Sequence, residues 1–188
     1  MPFEVLSTRL DGPKLLQPSV FPDERGFFCE TYRTNQLADI GITDDFVQDN
    51  HSRSSYGVVR GMHFQIGEGC GKLVRCGRGS IVDVVVDLRR SSPTYGQWEA
   101  HELSDDNMRA LYVPVGFGHG FAVTSEIADV LYKQSAYYSG DVERGISFLD
   151  PAVGIDWPIP EAERIFSARD ADAMTLAEFA ASGELPDW

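Results

Sequence analysis

The chain has 188 residues, 43% hydrophobic and 24% charged, which is enough apolar content for one folded domain with a sizeable core and lies well away from disordered compositions. Its formal charge of -13 argues against nucleic acid or an anionic membrane as a main partner, because either polyanion would be repelled. Three cysteines, Cys29, Cys70 and Cys76, cannot all pair within one chain and form no CxxC, so they read as free thiols in a reducing cytoplasm. The opening stretch MPFEVLSTRLDG has no basic segment followed by an apolar one, and no apolar run approaches membrane-spanning length. A cytoplasmic, soluble protein is expected.

Up to about Pro158 the chain is made of short runs rich in Val, Ile, Phe and Tyr, separated by Gly, Pro, Asp, Asn and Ser. That punctuation predicts many short strands. TNQLADIG predicts a short helix stopped by Gly41. KLVRC, the turn-like GRGS and IVDVVVDLR predict a hairpin. In its second arm Val82, Val84, Val86 and Leu88 share one face, while Ile81 and Val85 share the other with Asp83 and Asp87, so this strand is expected to be buried on both sides. ALYVPVGFGHGFAV and DVLYKQSAYY predict further strands, and Tyr132 and Tyr138 have the same parity along the second of these. DPAVGIDWPIPEAER is expected to wrap the outside, and DAMTLAEFAASG to form a last helix ended by Gly183. Many strands with helices at the periphery predict a mainly β sandwich, jelly roll or barrel. One domain over 1–188 is expected, with its core at about 20–158 and a helical extension over 159–188.

Charge is unevenly spread. Between His51 and Val82 stand Arg53, Arg60, Lys72, Arg75 and Arg78 against Glu68 alone, whereas from Asp141 onward eleven acids face three arginines. A cationic pocket on an acidic body suits a small anionic ligand.

The four histidines are His51, His63, His101 and His119, and no two make an HxH pair; HExxH and paired-Cys zinc spacings are also absent. Read alone, His63 in GVVRGMHFQ is open to three roles: packed core residue, metal ligand or catalytic base. Asp170, which precedes an apolar helical pattern, is open to the role of helix cap. The run from Pro114 to His119, PVGFGH, resembles the second motif of the cupin superfamily, in which a histidine points into a barrel. Where a metal-binding cupin has HxH, this chain has MHFQ, with Phe64 and Gln65 in place of ligands. The resemblance implies a cupin-type jelly-roll barrel without a metal site.

A more specific resemblance rests on FPDERGFFCETYR, FVQDNHSRSSYGVVRGMHFQ, GKLVRCGRGSIVDVVVDLRRSSPTYGQW, VPVGFGHGF, ADVLYKQSAYY and DPAVGIDWP, in that order. Together they are similar to the dTDP-4-dehydrorhamnose 3,5-epimerase family over roughly Val20 to Asp172. The resemblance implies cofactor-independent epimerisation of a dTDP-linked 4-keto-6-deoxy sugar, a homodimer, and no bound metal. It implies His63 as base, Asp170 of SARD as its dyad partner, Tyr132 as proton donor and Lys72 as stabiliser of the enolate oxygen. Arg60 is expected on the sugar or phosphate, and His119 in the pocket lining. Arg25, Glu30, Gln48 and Asn50 are expected to hold the nucleotide and diphosphate, partly across the dimer interface, with Glu143 and Arg169 as further contacts. Many relatives carry lysine where Arg169 stands. A mono-epimerase acting at one carbon is the alternative within the class; a metal-binding or non-catalytic cupin is the alternative outside it.

Overall fold

The computed structural model describes residues 3–188. In chain order its strands are β1 (Phe3–Leu6), β2 (Lys14–Pro18), β3 (Val20–Asp23), β4 (Gly26–Cys29), β5 (Gln48–Ser55), β6 (Val59–Gln65) and β7 (Lys72–Arg78). They continue with β8 (Ser80–Asp87), β9 (Trp98–Ser104), β10 (Ala110–Val113), β11 (Phe117–Val123), β12 (Ile127–Gln134) and β13 (Glu143–Gly145). The helices are α1 (Thr34–Asp39), α2 (Ala168–Ala171) and α3 (Leu176–Ala181). Six strands form one sheet in the order β1-β2-β10-β7-β12-β5, five form a second in the order β13-β6-β11-β8-β9, and β3 and β4 make a separate ribbon.

Apolar side chains fill three layers. Val74 and Cys76 of β7, Leu111 of β10 and Val130 of β12 meet Ile81 and Val85 of β8, Leu103 of β9 and Phe121 of β11, so this cluster is the filling between the two sheets. Outside the five-stranded sheet, Met62, Phe64, Val84 and Val86 pack against Ile146, Phe148, Trp157, Ile159 and Phe179 of the C-terminal segment. Outside the six-stranded sheet, Leu16, Leu73 and Tyr112 are covered by Leu37 and Ile42 around α1. The expected two-sided burial of β8 therefore has a physical cause: one face looks into the barrel, and the other is roofed by the wrapping segment.

That roof is a structural layer in its own right. Trp157 is 5% exposed, stacks edge-on against Phe148 and donates its indole N–H to the Phe148 carbonyl at 2.8 Å. Trp157→Ala is expected to cost about 3–5 kcal/mol of unfolding free energy, as large buried aromatics do. A denaturant titration losing less than about 1 kcal/mol would show that the layer is not cooperative with the barrel.

One predicted pairing is wrong. KLVRC and IVDVVVD are strands β7 and β8, but they lie in different sheets rather than forming a hairpin. Between them Gly79 has φ +73, and a Cβ there would stand 2.1 Å from the Ile127 carbonyl oxygen. Only glycine permits this crossover. Both arms are buried on two faces, so their patterns carried no mark of which sheet each joined.

The helix at TNQLADIG forms as predicted, with Gly41 at φ +81 beyond it. The last helix also forms, though it begins at Leu176, where Thr175 and Glu178 make a reciprocal capping box. Strand β12 stops at Gln134. Tyr138 therefore lies in the following loop, and the strand parity that linked it to Tyr132 does not extend to it.

Candidate active site

Strand β6 delivers His63, and the neighbouring β11 delivers His119 directly opposite it. Their close approach depends on small residues. At Gly61, φ is +132 and a Cβ would come 2.5 Å from the Gly120 Cα, so any side chain would push the two strands apart. The register shifts beyond His119.

The imidazole Nε2 of His63 is 2.6 Å from Asp170 Oδ1. Asp170 is not the cap of α2: Ser167 is, accepting a hydrogen bond from the Asp170 backbone N–H at 3.1 Å and donating its hydroxyl to Asp170 Oδ2 at 2.9 Å. Burial pushes the Asp170 carboxyl up, but the His63 hydrogen bond and charge, with help from Ser167, bring it below the usual carboxylate range. It is an anion at neutral pH. An anion there receives the His63 Nε2–H, which leaves the lone pair on Nδ1. His119 is held in a similar way, with Nε2 3.0 Å from each oxygen of the fully buried Asp83.

Lys72, at the start of β7, donates its ammonium to the His63 carbonyl at 3.2 Å. Burial lowers its pKa from the ordinary lysine value, opposed chiefly by the negative charge of Glu143. Tyr132 comes from β12 of the opposite sheet. Burial raises its phenol pKa, and Glu143 raises it further, so the proton is firmly held at neutral pH.

These groups meet at one cavity of about 240 Å³. Of the predicted residues it is lined by His63, Lys72, Tyr132, Arg60, His119, Glu143 and Arg169. Asp170 stands behind His63. Gln48 and Asn50, on β5, reach the cavity wall through Gln134. Arg25 and Glu30 are not brought to this cavity within the chain: Arg25 sits at the exposed turn between β3 and β4, paired with Asp23, and Glu30 lies 3.5 Å from Arg33.

The structure also adds residues that the sequence reading missed. Ser52, Phe121, Gln134 and Tyr138 complete the lining, and Asp83 fixes His119. Asp83 carried a signal, since an acid inside an apolar strand needs a partner. Gln134 carried none beyond its place at the end of VLYKQ. Among the described residues, no three His, Cys, Asp or Glu side chains are grouped as metal ligands would be.

Fold and site together define the class: a cupin-like jelly-roll isomerase. The family model for dTDP-4-dehydrorhamnose 3,5-epimerase matches residues 7–178, and the chain belongs to that family. It is 48% identical to the dTDP-4-dehydrorhamnose 3,5-epimerase of Salmonella typhimurium, over 92% of this chain and 94% of that one. Among solved structures it is similar to RmlC from Legionella pneumophila in complex with dTDP-4-keto-L-rhamnose, with a TM-score of 0.94 and 43% identity, covering 99% and 98% of the two chains. It is also similar to NovW, a 4-keto-6-deoxy sugar epimerase from the novobiocin cluster of Streptomyces spheroides, with a TM-score of 0.93 and 40% identity over 99% and 94%.

Proposed function

We propose that this chain, acting as one domain, converts dTDP-4-dehydro-6-deoxy-D-glucose to dTDP-4-dehydro-L-rhamnose by inverting carbons 3 and 5. The observation that carries this reading is the placement of His63 and Tyr132 on opposite sheets across one cavity. Inversion needs a base on one face of the carbon and an acid on the other.

Hydrogens beside a ketone are acidic because the electron pair left on carbon delocalises onto the carbonyl oxygen. In the proposed reaction Nδ1 of His63 takes the proton from carbon and the pair moves to that oxygen. The Lys72 ammonium stabilises the resulting enolate. Tyr132 then gives its phenolic proton to the opposite face of the carbon. Substrate and product are isomers, and the ketone already beside each carbon stabilises the carbanion, so this proton-transfer route is redox-neutral and draws on no cofactor. Arg60 and Arg169 supply cations for the sugar and diphosphate; arginine suits that task because its planar fork grips two phosphate oxygens.

A homodimer belongs to the same reading. Phe21, Phe27 and Phe28 of the β3–β4 ribbon are exposed, and burying such residues against a second copy would carry Arg25 and Glu30 towards that copy's cavity. A cytoplasmic location is supported by three free thiols. No helix among the described residues is long and apolar enough to cross a membrane.

The test is incubation with the keto sugar nucleotide in deuterated water, followed by NMR of carbons 3 and 5. Deuterium is expected at both. Incorporation at one carbon would replace the reading with a mono-epimerase, and incorporation at neither would overturn it.

A further inference from the structure

Gln134 closes strand β12, stands directly opposite Gln48 of β5 on one side and Lys72 of β7 on the other, and is 5% exposed while lining the cavity. Its carbonyl Oε1 accepts two hydrogen bonds, from Gln48 Nε2 at 3.1 Å and from Asn50 Nδ2 at 2.8 Å. Gln48 Nε2 also donates to Asn50 Oδ1 at 3.0 Å, and Gln48 Oε1 accepts the backbone N–H of Tyr138 at 2.8 Å. Among the described residues, the amide nitrogen of Gln134 has only the sulfur of Cys70, at 3.6 Å.

The direction of every bond in this network follows from one group. A backbone N–H can only donate, so Tyr138 fixes Gln48 with its oxygen outward and its nitrogen inward. That nitrogen requires oxygens on Asn50 and Gln134, and the remaining Asn50 nitrogen must then also point at Gln134. Gln134 Oε1 is therefore the shared acceptor that holds two amides of β5 and, through Gln48, the loop that presents Tyr138 to the cavity.

We propose that Gln134 is a positioning residue for substrate binding: it sets the side chains of Gln48 and Asn50 and the Tyr138 loop in the geometry that receives the nucleotide end of the substrate. This rests on the reading of Gln48 and Asn50 as nucleotide contacts. Without the shared acceptor, two part-buried amide donors would lose their partner, and the pair would turn to other groups. Proton abstraction at His63 does not pass through this network, so binding and chemistry are separable.

The test uses thymidine diphosphate as probe, with its affinity measured by calorimetry for wild type, Gln134→Met, Gln48→Met and the double variant. Each single variant is expected to bind about tenfold more weakly, and the double variant little worse than either, because both remove the same arrangement. With the keto sugar nucleotide, Gln134→Met is expected to raise KM about tenfold and leave kcat within about threefold. Gln134→Leu, which also removes the acceptor and leaves no room for a water in its place, provides the same comparison if the methionine variant does not fold. Wild-type affinity in a folded Gln134 variant, or losses that multiply to about a hundredfold in the double variant, would overturn the positioning role. Wild-type protein that binds no thymidine diphosphate would instead overturn the underlying functional reading.

Discussion

Replacing His63 by alanine is expected to abolish deuterium uptake at both sugar carbons and to lower kcat/KM by at least about 10²–10⁴-fold, the usual worth of a positioned general base. The size of the loss follows from the surroundings. His63 is tied through Nε2 to an ionised Asp170, so its lone pair is on Nδ1 and the charge it gains on taking a proton is matched by a carboxylate 2.6 Å away. The other imidazole in the cavity is a poor substitute. His119 is engaged by both oxygens of Asp83 and stands on the neighbouring strand, at a different position relative to any carbon presented to His63. Retained exchange in the alanine variant would sink the assignment and transfer the base role to His119. Asp170→Asn provides the companion measurement: the fold should persist because Ser167 still caps α2, while the rate falls with the loss of the charge partner.

Tyr132→Phe is expected to separate the two halves of the reaction. In the proposed mechanism the phenol supplies the proton on the face opposite His63, so its removal should reduce formation of inverted product by about 10²–10⁴-fold. Proton abstraction by His63 should continue, and deuterium should still enter at carbon from the His63 side, with retention of configuration. Burial, and after it the charge of Glu143, keeps the Tyr132 proton in place at neutral pH, so the acid should be present throughout the physiological range. NMR reads both quantities in one sample: isotope at carbon, and the ratio of inverted to starting sugar. Full inversion by the phenylalanine variant would remove Tyr132 from the mechanism and direct attention to Tyr138, which lines the same cavity.

Much of this arrangement was legible in the residues, for physical reasons that differ from place to place. The strand character of IVDVVVD was plain from its composition, and its two-sided burial followed from apolar residues at both parities. Its neighbours were not plain. Strands β7 and β8 lie in different sheets because the chain crosses at Gly79, a long-range outcome that local pattern does not encode. The two roles weighed for Asp170 divide in the same way. Family position favoured the dyad and the helical pattern that follows allowed a cap; the fold gives the cap of α2 to Ser167 and that of α3 to Thr175, which leaves the Asp170 carboxylate for His63. Motif order pointed to Tyr132, which the fold places at the cavity, whereas the strand parity that linked it to Tyr138 ends with β12 at Gln134. Gln134 itself was invisible, since its importance arises from amides brought beside it by β5, 86 and 84 residues away along the chain.

The C-terminal wrap has a consequence in time. His63 and Asp170 lie 107 residues apart, and Asp170 belongs to the segment that fastens itself to the start of β6 through hydrogen bonds between Ile165 and both Gly57 and Val59. Protein synthesis runs from the N-terminus, and residues fold as they emerge. The histidine is therefore made early and waits for a carboxylate that follows 107 residues later. A nascent chain that has already made β6 to β13 but not yet Asp170 possesses most of the barrel without this charged pair, so competence waits for the wrapping segment.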